Sequence, residues 1–122
     1  MGATDPGLKR RKAERRGHVS EYLAAFFLLL KGYRIVAIRY RTRLGEIDII
    51  ARKGDLAVFV EVKARKFEGQ AIDAVGYTTQ SRIHAASDLW LAKRQDAARL
   101  SRRYDVIAVL PFRIPRHFED AF

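Results

Sequence analysis

The stretch GEIDIIARKGDLAVFVEVKAR, residues 45–65, constrains this chain more than any other. Two runs rich in Ile, Val and Phe flank Lys53-Gly54-Asp55, and β-branched runs around a glycine-containing turn mark a hairpin. Side chains alternate faces along a strand, so Glu46, Asp48 and Ile50 are expected on one face, with Ile47 and Ile49 on the other. In the second run Phe59, Glu61 and Lys63 share a face against Val58, Val60 and Val62. A two-residue turn at Gly54-Asp55, an acceptable hairpin pair, places Asp48 opposite Glu61. A three-residue turn would put the two acids on opposite faces.

Carboxylates directly opposite on adjacent strands have Cβ atoms about 4.5–5.5 Å apart and repel unless positive charge lies between them. Lys63 can supply that charge, and so can a divalent cation. The plainer interpretation is a buried Glu61–Lys63 pair with Asp48 capping the hairpin. Burying an ion pair costs several kcal/mol per ion in desolvation, however, so the pattern is a poor device for stability alone. Hard oxygen ligands converging from two strands suit Mg²⁺ or Mn²⁺, which bind through one or two carboxylates plus substrate phosphates. Such an ion polarises a phosphodiester and lowers the pKa of water, with Lys63 placed to orient that water or neutralise developing charge. The chemistry implied is phosphodiester hydrolysis.

Elsewhere the chain reads as one domain of 122 residues, 48% of them apolar. Met1 to Gly7 is expected to be a frayed leader ahead of a single domain over 8–122. Leu8 to Arg16 is a dense positive block, read equally well as a solvated helix turn or as a phosphate-binding arm. Val19, Leu23, Phe26, Phe27 and Leu30 recur at helical spacing and are expected to form the buried face of a helix that Gly32 ends. The run Ala24–Leu30 is far shorter than the roughly 20 residues of a membrane span. No secretory signal follows the basic start, so a cytoplasmic protein without membrane contact is expected. Arg34 to Arg41 reads as a further strand that makes an antiparallel meander with the hairpin. A helix from Thr78 to about Leu91 follows, with Ile83, Ala86, Leu89 and Trp90 in phase. Arg103 to Leu110 is the last strand, closed by Pro111. A helix between two strands of one sheet implies a right-handed crossover to a parallel strand.

The 24 Lys and Arg against 14 Asp and Glu give a net charge of +10, which points to a polyanionic partner, nucleic acid first, although membrane-surface proteins share that balance. The absence of cysteine excludes disulfides, thiolate zinc sites and cysteine nucleophiles. His18, His84 and His117 lack ligand-like spacing and read as surface or helix-face residues.

An acidic strand residue, a hairpin, then Glu-x-Lys closing an apolar strand resembles the PD-(D/E)XK nuclease superfamily, here Ile47-Asp48 followed by Glu61-Val62-Lys63. The order helix, three strands, helix, strand is that superfamily's αβββαβ core. GEIDIIA with VFVEVKAR, KGYRIVAIRYR before them and RYDVIAVL after them are similar to the YraN-like family of bacterial endonuclease-like proteins, over about Arg16 to Leu110. The resemblance implies an α/β, restriction-endonuclease-like fold with a mixed sheet flanked by helices. It implies Asp48 and Glu61 as metal ligands, Lys63 as the catalytic lysine, and the backbone carbonyl of Val62 as a further ligand. Glu21 matches a helix acid that resembles the extra metal-binding glutamate of archaeal Holliday-junction resolvases; without the resemblance it reads as an acid favouring a helix N-terminus. Gln80 stands where the family usually shows Lys-Gln, with Thr79 in the lysine position.

The expectation is a Mg²⁺- or Mn²⁺-dependent DNA endonuclease acting on branched or otherwise non-B-form DNA. Arg39, Arg41, Arg43, Arg52, Lys53, Arg65 and Lys66 would hold the phosphate backbone, a contact that positions without reading sequence. Cutting both strands of a junction would require a homodimer. The rival readings are a non-catalytic nucleic-acid-binding module and an assembly partner that uses the fold for protein contact.

Overall fold

The computed structural model describes residues 6–122, with side-chain detail from residue 17 onward. Most of the expected leader, and the side chains of the basic block, lie outside the described residues. Helix α1 runs Pro6–Leu30, opening at a proline whose missing N–H costs nothing in a first turn. Glu21 therefore lies mid-helix, which removes the reading of it as an N-terminal acid. The helix stops as expected at Gly32: Gly32 N–H bonds the Leu29 carbonyl at 3.0 Å and Tyr33 N–H the Leu28 carbonyl at 3.0 Å, with Gly32 at φ 93°. This is the double bond of a Schellman cap, and its left-handed residue is one that glycine adopts without penalty.

The buried face of α1 matches the expected one only at Phe27, which packs half-buried against the core. Ser20, Glu21, Ala24, Ala25 and Leu28 meet the sheet, whereas Val19, Leu23, Phe26 and Leu30 point outward. Spacing alone admits both faces. The small residues win because they let the helix axis approach the sheet closely, with Leu28 filling the remaining gap.

Strands β1 (Arg34–Arg41), β2 (Glu46–Lys53) and β3 (Leu56–Ala64) form the antiparallel meander. Two helices, α2 (Glu68–Asp73) and α3 (Tyr77–Ala92), cross back to β4 (Ser101–Val109), which pairs parallel with β3 as expected. The short α2 and a final edge strand β5 (Arg116–Phe118) were not legible in the pattern. The result is a five-stranded mixed sheet in the order β1-β2-β3-β4-β5. Among the described residues no helix is long and apolar enough to cross a membrane.

One layer of core packs α1 against Ile49, Ala51, Val58, Val60 and Val62. The other packs α3, through Ile83, Ala86 and Trp90, against Ile50 and Phe59. The expected faces of β3 hold, but Ile47 joins the α3 side with Ile50 rather than the α1 side with Ile49. Alternation breaks between them. The β1–β2 ladder pairs Ile38 with Ile49 and Tyr40 with Ile47, and skips Arg39 and Asp48; Arg39 has φ 55°. A left-handed arginine costs about 1–3 kcal/mol, a strain that tends to gather at functional sites.

At the far edge, Asp105 is fully buried on β4 and is held by four hydrogen bonds. Arg103 donates to both carboxylate oxygens at 2.8 Å, Asp120 N–H donates at 2.9 Å, and His117 Nε2 lies 2.7 Å away. Lys31 Nζ lies 2.7 Å from His117 Nδ1. An ammonium can only donate, so this imidazole is the neutral form with its proton on Nε2, directed at Asp105. His117 is thus not the surface residue its spacing implied; its side chain is 2% exposed and ties β5 and α1 to β4.

Candidate active site

The turn joining β2 and β3 is Gly54-Asp55, with φ 60° at Gly54 and none of the positive φ at Asp55, the pattern of a II′ hairpin. Its register is the expected one from Lys53↔Leu56 to Ile49↔Val60, and there the ladder ends. Asp48 and Glu61 are next in line but do not pair through the main chain. Released from alternation by the irregularity opposite Arg39, the Asp48 side chain turns into the gap between strands. Its Oδ2 accepts the Val62 N–H at 2.8 Å, a donor that a continuing ladder would have given to the Ile47 carbonyl. The two strands part around a carboxylate.

Glu61 meets Asp48 in that opening, carboxyl beside carboxyl, and Lys63 Nζ lies 3.4 Å from Glu61 Oε1. Burial and the Asp48 charge push the Glu61 carboxyl up to about 8, against the pull of Lys63. Burial likewise raises Asp48, opposed by the Val62 N–H. Burial favours the protonated form of both acids, the condition under which adjacent carboxyls share one proton. Glu21 reaches toward the same opening from α1, and burial, followed by the Asp48 charge, raises it to about 7 despite Arg39. Arg39 Nη1 is 3.8 Å from Glu21 Oε2, and both atoms are buried without a hydrogen-bond partner.

A stability prediction follows from these shifts. The folded chain holds protons that the unfolded chain releases above about pH 4.5, so stability contributed at this site falls as pH rises from there toward 8. Glu61→Gln is expected to flatten that decline and to gain about 2 kcal/mol at pH 8.5 in chelator, since each unit of pKa shift is worth about 1.4 kcal/mol before solvent relaxation. Urea denaturation at pH 5.5 and 8.5 measures it. A variant no more stable than the parent at pH 8.5 contradicts the shared proton.

The acids lie at the waist between two concavities. One, about 520 Å³, is walled by the β1–β2 loop and by Thr79 and Arg82 of α3. The other, about 1190 Å³, extends past Glu21 and Val62 to Arg65, Lys66 and Gln70. Asp48, Glu61 and Lys63 line both. The β1–β2 loop is rigid: the Thr42 hydroxyl accepts from Leu44 N–H at 3.1 Å and Gly45 N–H at 3.0 Å. Gly45 must be glycine, because a Cβ there would sit 2.5 Å from the Arg82 carbonyl oxygen.

The candidate cations divide. Arg43 lines the smaller concavity, and Arg65 and Lys66 the larger. Arg39 faces Glu21, and exposed Arg41 is 3.5 Å from Glu46. Arg52 and Lys53 belong to the opposite end of β2: Arg52 bonds Asp96 at 2.8 Å, and Lys53 donates to the Lys31 carbonyl at 3.1 Å. Gln80 spends its amide on the Val75 carbonyl at 3.0 Å, bracing the start of α3 and lining neither concavity. Arg82 was missed. One helical turn beyond Thr79, it stands beside the acids with no assigned partner, and the i+3 spacing from Thr79 was the available signal.

Among the described residues no group of three or more acidic or imidazole side chains is close enough to hold a metal ion. The donor set is instead two carboxyls in contact, with Glu21 set back across the opening and its Oε2 unsatisfied. That set fits Mg²⁺ or Mn²⁺, which keep several waters and need few protein ligands.

A sheet opened at β2–β3 around two acids, with a lysine beside them and helices on both faces, defines an α/β protein of the restriction-endonuclease-like fold. The family model described as "Uncharacterised protein family UPF0102" matches residues 20–109, and the chain belongs to that family, the YraN family of the sequence resemblance. It is 69% identical over 122 residues to UPF0102 protein RL0336 of Rhizobium johnstonii, covering 100% of both chains. It is 68% identical over 114 residues, 93% of both chains, to UPF0102 protein Atu0303 of Agrobacterium fabrum. With UPF0102 protein mlr4633 of Mesorhizobium japonicum it shares 58% over 120 residues, 98% of this chain and 96% of the relative.

Proposed function

We propose that this protein is a Mg²⁺- or Mn²⁺-dependent endonuclease that hydrolyses DNA phosphodiesters, with branched or otherwise non-B-form DNA as its substrate. One observation carries the reading: Asp48 and the buried Glu61 lie together in a break in the sheet, with Lys63 Nζ 3.4 Å from Glu61 Oε1, at the junction of two cation-lined concavities. Nothing in the fold requires two buried acids there; burial raises both, and a positive charge beyond Lys63 would offset that cost. A bound divalent ion would be held by Asp48 and Glu61, with Glu21 toward its hydration shell, and would supply Lewis-acid activation of the phosphodiester and charge neutralisation.

The chain's own groups do the rest. Lys63 is placed to hold the attacking water or to meet the charge that develops on phosphorus oxygens. Arg43 and Arg82 on one side, and Arg65 and Lys66 on the other, hold the backbone on both sides of the scissile bond. These contacts read phosphate, so selection falls on the shape and flexibility of the strand.

The test is a panel of single-stranded, duplex, flapped and four-way DNA incubated with Mg²⁺ or Mn²⁺, alongside thermal melts with and without the ion. Cleavage of branched DNA and a melting point that rises with free ion are expected, because a ligand of the folded state stabilises it by mass action. No cleavage and no shift would sink the nuclease reading in favour of a non-catalytic nucleic-acid-binding module.

A further inference from the structure

The outward face of α1 is apolar for three turns. Val19, Tyr22, Leu23, Phe26, Leu29 and Leu30 recur at three- and four-residue spacing, and all are about half exposed or more, Phe26 at 60% and Leu30 at 71%. Together these six side chains form one contiguous apolar stripe, and contiguous exposed patches of this kind mark interaction sites. Between Gly17 and Leu30 the sole Asp, Glu, Lys or Arg is Glu21, which faces the sheet.

We propose that this stripe is the surface through which two copies of the chain pair, α1 against α1 about a two-fold axis. Joined, the two stripes would remove twelve exposed apolar side chains from water, six from each copy. A two-fold contact is self-complementary, so one uncharged stripe serves both partners. Charge favours this surface as well: each copy carries +10, and from Gly17 to Leu30 the stripe presents no Lys or Arg to repel its copy. An antiparallel crossing also sends the two basic segments, residues 8–16, in opposite directions.

A lipid surface fits less well. A helix lying in a membrane interface carries Lys and Arg along the face opposite its apolar stripe, whereas here that face packs on the sheet and the basic residues of α1 all precede the stripe, at 9–16. Val19, at one end of the stripe, also lines the larger concavity, so the interface borders the candidate active site. The pairing does not depend on the nuclease reading.

Sedimentation velocity of the full chain over about 1–100 μM covers the affinities usual for an interface of this size. A dimer is expected, and Phe26→Glu is expected to raise its Kd at least about 100-fold, as removal of a central aromatic anchor does, with far-UV circular dichroism unchanged. Leu30→Lys, at the last residue of α1, gives the same result should Phe26→Glu fail to fold. A wild-type monomer throughout, or a dimer that neither substitution weakens, overturns the proposal. So does a monomer that sediments with phosphatidylglycerol vesicles, which would assign the stripe to a bilayer.

Discussion

Lys63→Ala is expected to lower the rate of DNA cleavage about 10²–10⁴-fold, the usual worth of a positioned proton-transfer or charge-stabilising group. Binding of the same DNA in Ca²⁺ should weaken no more than about fivefold, equivalent to about 1 kcal/mol, because Lys63 is one cation among several lining the concavities. The side chain is 22% exposed, with its Nζ 3.4 Å from Glu61, so it contributes to the site more than to the core. Lys63→Arg separates the two roles. Arginine keeps the charge but not an exchangeable amine, so recovered cleavage would assign charge stabilisation and continued loss would assign handling of the water or its proton. Equal loss of binding and cleavage in Lys63→Ala would show instead that the lysine holds the strands together. A melt in chelator guards against that outcome, since Lys63 opposes the rise of both buried carboxyls and its removal should steepen the decline in stability with pH.

Asp105→Ala is expected to cost about 3–5 kcal/mol, the penalty for stranding a buried charge partner, out of a total near 5–15 kcal/mol for a domain of this size. Arg103 would lose both of its bonds to Asp105 and keep the Tyr33 hydroxyl at 2.7 Å and the half-exposed Glu119 carboxylate at 3.6 Å, while His117 would lose the acceptor that orders β5. Burial by itself would raise the Asp105 carboxyl, but hydrogen bonds from His117 and Arg103 outweigh it and hold the group below the ordinary range. The sign is therefore opposite to that of Glu61: this stability is present above about pH 4 and is lost as pH falls through the depressed value. In chelator, the two ends of the sheet together give a stability maximum at about pH 4–4.5, between the ordinary values of the two carboxyls, and Asp105→Ala should remove its acid limb. Urea denaturation measures both effects. A loss under about 1 kcal/mol would mean that the network is not cooperative.

Much of the fold was written locally. The hairpin, its register and the parallel return of β4 follow from alternating β-branched residues, a Gly-Asp turn and an intervening helical pattern, each a short-range property of the backbone. The same reasoning put Asp48, Glu61 and Lys63 together, because a two-residue turn fixes everything beyond it. It failed where partners decide. Val19, Leu23, Phe26 and Leu30 and the set Ser20, Ala24, Ala25 and Leu28 are both valid helix faces, and only the flatness of the sheet beneath selects the smaller residues. Gln80 carries the same chemistry whether it lines a site or braces a helix, and the Val75 carbonyl settles it. Arg52 and Lys53 are near Asp48 in sequence but at the far end of an extended strand, where about 3.3 Å per residue separates them from the site.

By itself, then, the sequence determined that two acids and a lysine would meet on adjacent strands, since strand period and turn length are rigid. Only the tertiary structure decided how they meet. The left-handed Arg39 breaks alternation at Asp48, turns Ile47 to the other core, and leaves the Asp48 carboxylate to take the Val62 N–H that the main chain gives up. That break spans two strands at once, β1 at Arg39 and β2 at Asp48, so no pattern along either strand alone encodes it.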